Sequence, residues 1–417
     1  MPAEPLLSAS EEFKQFAPSQ AIPRSVRRSM WKSIIIELFQ QLKGGQLLLI
    51  DKDESLHLGT PGPLHAQIIL RDKDIYRRLA LGGTMAFAET YMEGMWESPD
   101  LFSLFRLFAQ QRELISAMDG ARTRWMMPLL KFGEWLRANT LKGSQKNISA
   151  HYDLGNDLFK LFLDPTLTYS SAYWEQPHLS LEDASLAKLD RMCRMVELKA
   201  SDHLVEIGSG WGSFAHHAAS KYGCRVTTIT LSAEQKKLAD ERIKTSGLEG
   251  RVKVLLQDYR TLEGQYDKLV SIEMIEAVGH KYLGQYFKRC GELVKPGGLL
   301  ALQAITLPDH AYAAHLKGVD FIQKYIFPGS KIPCVSVLCE QARKNSQMVL
   351  TDLKDLTLDY SKTMQMWRKN FVGKLDEVKK LGYDDRFIRM WDYYLNYCAA
   401  GFADRYLNTV QMQFRKL

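Results

Sequence analysis

The sequence lacks the features that would place it across a membrane or cross-link it outside a cell. Its apolar runs, such as residues 33–39 and 47–50, fall far short of the ~20 residues that a bilayer-spanning helix needs. The opening stretch MPAEPLLSASEEFKQF carries acids and lacks the charged-then-apolar order of a secretion signal, so a cytoplasmic protein is expected. Cysteine is scarce. The six thiols, Cys193, Cys224, Cys290, Cys334, Cys339 and Cys398, form no CxxC pair and no His/Cys cluster at zinc spacing. They read as reduced, mostly buried thiols, and no metal site is expected. An N/D-P-P-Y/F motif and any nucleic-acid-binding module are also missing, so no nucleic-acid partner is expected.

A hydrophobic fraction of 46% with 25% charged residues is that of a globular chain, and 417 residues suit two domains. Lysine and arginine (55) exceed aspartate and glutamate (48), a net charge of +7 that suits an anionic partner without naming it. Residues 1–120 read as a small mixed unit, with strands over 46–51 and 65–70 and a short glycine-bounded helix within 82–96. Residues 121–148 are a basic, aromatic linker. Arg122, Arg124, Lys131, Arg137, Lys142 and Lys146 stand there against Glu134 alone, interleaved with Trp125, Phe132 and Trp135. Two readings stay open: a linker helix packed on the protein, or an interfacial helix with bases toward lipid head groups and aromatics toward acyl chains.

From residue 149 strands and helices alternate. Strands are expected over 203–207, 225–231, 252–256, 268–272 and 299–305, with helices over 213–221, 233–245 and 281–293. That alternation makes 149–417 an α/β, doubly wound, Rossmann-like sheet beside a smaller N-terminal α+β domain. Such a sheet binds ligand at the carboxyl ends of its strands. The first strand runs into Glu206-Ile207-Gly208-Ser209-Gly210-Trp211-Gly212-Ser213. A dinucleotide fingerprint would place its third glycine at 213; here it is Gly212, the G-x-G-x-G of methyltransferases. Thr230, Leu231 and Gln235 follow the second strand, where ribose and methionine contacts fall. Asp258 and Tyr259 follow the third, where an acid can accept from an adenine amino group.

The segments HYDLGNDLFKLFLDPTLTYSSAYW (151–174), VEIGSGWGSFA (205–215), ITLSAEQ (229–235), EMIEAVG (273–279), LQAIT (302–306), FIQKYIFPG (321–329) and YYLNYCAAGF (393–402) together resemble the cyclopropane fatty acid synthase family. The resemblance covers 149–417 strongly and the region before it loosely. It implies an S-adenosylmethionine-dependent enzyme that adds a methylene across the cis double bond of an unsaturated phospholipid acyl chain at an anionic membrane surface. It would sit peripherally on the inner face of the membrane, as a homodimer. Cofactor contacts carry over to Tyr169 and Ser170, to Glu206 and the Gly208–Gly210–Gly212 loop, to Thr230, Leu231 and Gln235, and to Asp258 and Tyr259. The family holds a bicarbonate ion as active-site base, with ligands mapping to Ser171, Glu276, Gln303 and Tyr360. Ser171 stands where many members have cysteine and Gln303 where many have histidine. A hydroxyl and an amide can still hydrogen-bond an oxyanion, but relatives with such changes include enzymes making methyl branches.

The implied chemistry needs a dry cavity, since water would capture the carbocation left by methyl transfer, and aromatic faces beside that cation. Tyr169, Tyr173, Tyr325 and Phe327 are the candidates. Cys398 lies at the cysteine the family has traditionally treated as an active-site residue, although no step calls for a thiol nucleophile. Competing readings are methylation giving a methyl-branched or methylene chain, methylation of a small molecule, and a catalytically silent lipid-binding protein. The intact glycine loop and Glu276 speak against the last.

Overall fold

The computed structural model describes residues 30–52, 54–111 and 155–417; the expected linker over 121–148 lies outside them. Strands β1 (Gly45–Asp51), β2 (Glu54–Thr60), β3 (Leu64–Leu70) and β4 (Trp96–Glu97) form a first sheet in the order β2-β1-β3-β4. β1 runs antiparallel to β2 and parallel to β3. Its buried Leu47 and Leu49 alternate with half-buried neighbours, the period-2 pattern of a sheet with one face in a core. β2 keeps the same alternation over a shorter stretch, Leu56 and Leu58 being buried and Ser55 and His57 exposed. The helix expected within 82–96 runs instead over Ile75–Met92 and is broken at Gly83 (φ 55°, ψ −145°), a conformation open almost only to glycine.

The second sheet has seven strands: β5 (His203–Ile207), β6 (Arg225–Thr230), β7 (Val252–Leu256), β8 (Tyr266–Ile272), β9 (Val294–Thr306), β10 (Met348–Asp355) and β11 (Asn408–Lys416). Their order is β10-β11-β9-β8-β5-β6-β7. β5 to β9 are mutually parallel, while β11 is antiparallel to β9 and β10 to β11. The chain steps outward from β5 to β7 and then returns to the other side of β5 as β8. That reversal leaves a crevice at the carboxyl ends of β5 and β8. Both sheet faces are buried, so successive residues serve different cores. Leu204 packs with Phe214, Ala218 and Ile243, whereas Val205 packs with Phe287, Leu302 and Leu338. The five parallel strands are those expected from sequence.

A third core joins the first sheet to the far end of the chain. Leu47, Ile68, Phe87, Trp96 and Leu104 share it with Phe159, Phe162, Trp367, Trp391 and Tyr393, carried on helices Asn156–Phe162, Thr357–Val372 and Asp385–Ala403. Polar contacts fix the join. Arg389 donates to the carbonyls of Tyr91 (2.5 Å) and Trp96 (2.6 Å), Arg106 pairs with Asp404 (2.9 Å), and the Tyr91 hydroxyl donates to Asp392 (3.0 Å). Among the described residues no helix is long and apolar enough to cross a membrane.

Candidate functional site

A cavity of about 1040 Å³ opens at the carboxyl ends of β5, β6, β8 and β9. One end is formed by strand tips and their loops: Glu206, Gly208, Gly210, Thr230, Leu231, Gln235 and Tyr259. The other is apolar, with Met85, Phe87, Phe105 and Phe108 from the N-terminal helices facing Tyr393, Tyr397 and Phe402 from helix Asp385–Ala403. Two carboxylates, Glu273 and Glu276, lie on its wall just after β8.

The glycine loop continues directly from β5. The amides of Gly208 and Ser209 both donate to the Ile229 carbonyl (3.1 and 2.8 Å), which pins the turn to β6. Its glycines do different things. Gly210 (φ +48°) would carry a Cβ with nothing within 4 Å, pointing into open space. Gly212 (φ +83°) does not line the cavity; a Cβ there would lie 3.0 Å from that of Ala239. Its role is packing of helix Ala233–Thr245, not ligand contact. Beside the loop, Thr230 donates to the Gln235 side chain (2.8 Å), and the Ser232 hydroxyl caps that helix by accepting from the Gln235 amide (3.2 Å). Tyr259 lines the cavity, edge-on to Tyr286. Asp258 does not. Its carboxylate is bonded to Arg260 Nε and Nη2 (2.9 and 2.6 Å), so the acceptor expected for an adenine amino group is already engaged.

Three of the four residues expected around an ion, Ser171, Gln303 and Tyr360, are brought together, but around Glu273. Glu273 Oε1 accepts from the Ser171 amide (2.9 Å) and from Gln303 Nε2 (2.7 Å), and Oε2 accepts from the Tyr360 hydroxyl (2.8 Å). The Glu273 amide also donates to the Gln303 carbonyl (2.8 Å), holding the residue at a positive φ of 50° that a glutamate adopts only when its surroundings impose it. Ser171 acts through its backbone, since its hydroxyl turns to the Ala172 carbonyl (2.9 Å). Gln303 is oriented from behind. Gln411 donates to its oxygen (2.8 Å) and receives a bond from Arg191 (2.8 Å), which turns the Gln303 amide nitrogen toward Glu273. Neither Ser171 nor Gln303 lines the cavity; both position Glu273. Gln411 and Arg191 are supports that sequence reasoning missed. Glu273 itself opens the segment EMIEAVG, three residues before Glu276.

Glu276 is placed differently. Its Oε1 accepts from the Ile305 amide (2.5 Å) and its Oε2, fully buried, has no hydrogen-bond partner. Burial, reinforced by the nearby Glu273 charge, pushes its pKa up to about 8. Burial also raises that of Glu273, but there three hydrogen bonds and the Lys188 charge pull the other way. Two neighbouring carboxyls thus have different environments: Glu273 is supplied with three donors, while Glu276 has the Ile305 amide at one oxygen and none at the other.

Of the aromatic candidates, Tyr169 and Phe327 line the cavity. Tyr173 lies under Arg191, and the Tyr325 hydroxyl donates to Glu89 (2.8 Å); neither faces the cavity. Tyr360, stacked on Phe402 (4.4 Å between centroids), and Tyr394, whose hydroxyl meets that of Tyr169 (3.0 Å), complete an aromatic wall. Cys398 also lines the cavity, but burial pushes its thiol pKa far above the ordinary value, which removes a thiolate nucleophile. Among the described residues no group of three or more His, Cys, Asp or Glu is placed to hold a metal ion.

The two groups implied by the sequence resemblance fare differently. S-adenosylmethionine fits, because backbone without side-chain obstruction meets open space at Gly210 and polar groups ring that end. A bicarbonate ion does not, because the donors assigned to it already surround the Glu273 carboxylate and the Glu276 carboxyl stands apart from them.

Residues 139–412 match the family model described as mycolic acid cyclopropane synthetase. The chain is 36% identical over 351 residues to the tuberculostearic acid methyltransferase UfaA1 of Mycobacterium tuberculosis, covering 82% of this chain and 81% of that one. It is 34% identical over 357 residues to the cyclopropane-fatty-acyl-phospholipid synthase of Escherichia coli K12, covering 85% and 89%. Among solved structures it resembles the mycolic acid cyclopropane synthase CmaA1 in complex with SAH and CTAB. The TM-score is 0.61 at 30% identity, over 65% of this chain and 98% of that one.

Proposed function

The chain belongs to the mycolic acid cyclopropane synthetase family, S-adenosylmethionine-dependent methyltransferases, and from that premise we propose that it acts on the cis double bond of an unsaturated phospholipid acyl chain and closes a cyclopropane ring. The observation that carries this reading is a buried, hydrogen-bonded carboxylate, Glu273, on the wall of a cavity with a glycine loop at one end and an apolar, aromatic channel at the other.

S-adenosylmethionine, when bound, would supply an electrophilic methyl group: its S–CH3 bond would break as the methyl bonds to one alkene carbon, leaving a neutral thioether and positive charge on the neighbouring carbon. The protein's own residues position the alkene, shelter that charge and remove a proton. The channel holds the double bond in place, and orientation alone can supply roughly 7–11 kcal/mol of such a barrier. The faces of Tyr169, Tyr360, Tyr394 and Phe327 stabilise the cation, and the apolar lining keeps out water that would trap it as an alcohol. Glu273 takes the proton that leaves. If that proton comes from the added methyl while the charge lies on the neighbouring carbon, the electrons of its C–H bond close the ring. Tyr360, Gln303 and the Ser171 amide donate to the Glu273 carboxylate and favour its charged, proton-accepting form against the burial that raises its pKa.

A second reading, a methylene-branched chain, is favoured by one observation: a fixed side chain stands where a mobile ion was expected. The ring forms if the added methyl loses its proton to Glu273 while the charge lies on the neighbouring carbon. The methylene branch forms if hydride first shifts from the methylated carbon to that neighbour, so that loss of the same methyl proton makes a C=CH2 bond. Both products add one CH2, so intact mass does not separate them. Expression in a host without such an enzyme, followed by ozonolysis and mass spectrometry of its phospholipid acyl chains, does. An ozone-resistant chain one CH2 heavier supports the ring, a cleaved one supports the branch, and unaltered acyl chains refute both.

Reaching a double bond deep in a bilayer requires docking at the membrane surface. The net charge of +7 supports an anionic surface, with each basic residue there contributing ~1 kcal/mol. Charge reversal of Arg122, Arg124 and Lys131 should weaken co-sedimentation with anionic vesicles at low salt and leave cofactor affinity unchanged. Equal binding by the variant and the natural protein refutes docking through that segment.

A further inference from the structure

We propose that Lys188, paired with Glu206, receives the zwitterionic amino-acid end of S-adenosylmethionine, the Lys188 ammonium bonding the cofactor's carboxylate and Glu206 its ammonium. The proposal rests on the cofactor assignment and extends it to a residue outside every motif of the family resemblance.

Lys188 lies on helix Leu181–Met195 and is 1% exposed, yet it lines the cavity. Buried lysines are rare because taking an ammonium out of water is costly unless it is paired and fully hydrogen-bonded. This one is neither. Among the described residues its only hydrogen bond is to the Ser170 hydroxyl (2.7 Å), and no carboxylate stands within ion-pair distance. Two of its three N–H donors are therefore unused.

The neighbouring acids show why the missing partner is a ligand. Asp164 is satisfied by the amides of Thr166 (2.9 Å) and Thr168 (3.4 Å) and by the hydroxyls of Thr166 and Ser185. Glu273 is satisfied by Ser171, Gln303 and Tyr360. Among the described residues Glu206 has only the Thr228 hydroxyl (2.5 Å), and it too lines the cavity. A cation and an anion, each short of partners, thus face one space beside Ser170 and the glycine loop. An α-amino acid carries the matching opposite charges on one carbon. The titration behaviour agrees. Burial draws the Lys188 pKa down to about 8 against the pull of Glu273, Asp164 and Glu206, and burial drives that of Glu206 up to about 8. Both groups are under-stabilised in the charged form that a zwitterionic ligand would restore.

The test is calorimetric titration with S-adenosylmethionine and with its decarboxylated form, which lacks only the carboxylate. The natural protein should bind the first more tightly by roughly 10–100-fold, the scale of a charge-assisted hydrogen bond. In Lys188→Met most of that gap should close, through weaker binding of S-adenosylmethionine alone, and Lys188→Arg should keep part of it. A gap unchanged in Lys188→Met, or equal losses for both ligands, overturns the proposal. Should the variants fail to fold, the natural protein still decides, because equal affinity for the two ligands overturns it. Failure of the natural protein to bind either ligand would sink the cofactor assignment itself, a different outcome from equal binding of both.

Discussion

The two ends of the cavity are built by different means. At the cofactor end, residues 206–212, 230–235 and 257–259 are short contiguous stretches that succeed one strand each, and their backbone is held by the sheet. At the acyl end, residues 82–109 meet residues 393–407 across nearly the whole chain, through side-chain packing and a few buried polar ties such as Arg389 to Tyr91 and Trp96. The first end has its form dictated by local backbone geometry. The second exists only once distant helices pack. Glu273 sits where they join, its backbone on the sheet and its carboxylate bonded to Tyr360 of the helical side.

The largest effect is expected at that join. Glu273→Gln keeps shape but removes the proton acceptor, so turnover should fall by about 10²–10⁴-fold, the usual share of a general base. Cofactor affinity measured by calorimetry should be unchanged. Loss of affinity in step with turnover would mean that the two ends are not separable.

Next come paired changes within the glycine loop. Gly210→Ala places a methyl in the ligand space and should weaken S-adenosylmethionine binding by roughly tenfold or more, ~1.4 kcal/mol, with a modest fall in melting temperature from its left-handed backbone. Gly212→Ala presses on Ala239 and should cost about 1–3 kcal/mol of stability while sparing affinity in the folded fraction. Reversed behaviour of the two would show that the loop is oriented differently.

A smaller effect is expected at the acyl end. Ala109→Phe adds bulk to the N-terminal wall and should lower kcat/KM for the longer of two acyl chains by roughly tenfold, with cofactor affinity untouched. Equal rates on both chains would take residues 101–109 out of the channel.

The smallest is a dependence of stability on pH. Glu276 has its pKa raised from 4.5 to about 8 in the folded protein, so folding binds its proton more tightly. Its contribution is complete below pH 4.5 and is lost as pH rises through 8. Glu276→Gln cannot ionise, and should therefore lose less melting temperature than the natural protein between pH 6 and 9. Parallel melting curves would place Glu276 in a more polar setting.

The same contrast explains what is legible in the sequence. The five parallel strands and the glycine loop are, because apolar runs, turn glycines and their spacing are local properties. Strand β10 is not, as seven of its eight residues are exposed and leave no apolar periodicity. Ser171, Gln303 and Tyr360, which the resemblance groups around an ion, meet at the Glu273 carboxylate instead. Nothing local in Ile272-Glu273-Met274 shows that a positive φ turns the Glu273 carboxylate into their midst. Asp258 lies off the cavity lining for a similarly hidden reason, since its bond to Arg260, two residues on, depends on how that turn closes.

We propose that Glu273 fills the role that the sequence resemblance assigns to a bicarbonate ion. Turnover of unsaturated phospholipid in carbonate-depleted buffer, with and without added bicarbonate, tests it most directly. The natural protein should run at the same rate in both, and Glu273→Ala, which frees the donors of Ser171, Gln303 and Tyr360, should be inactive until bicarbonate or formate is supplied. A natural protein that stalls without bicarbonate and recovers with it would contradict the account.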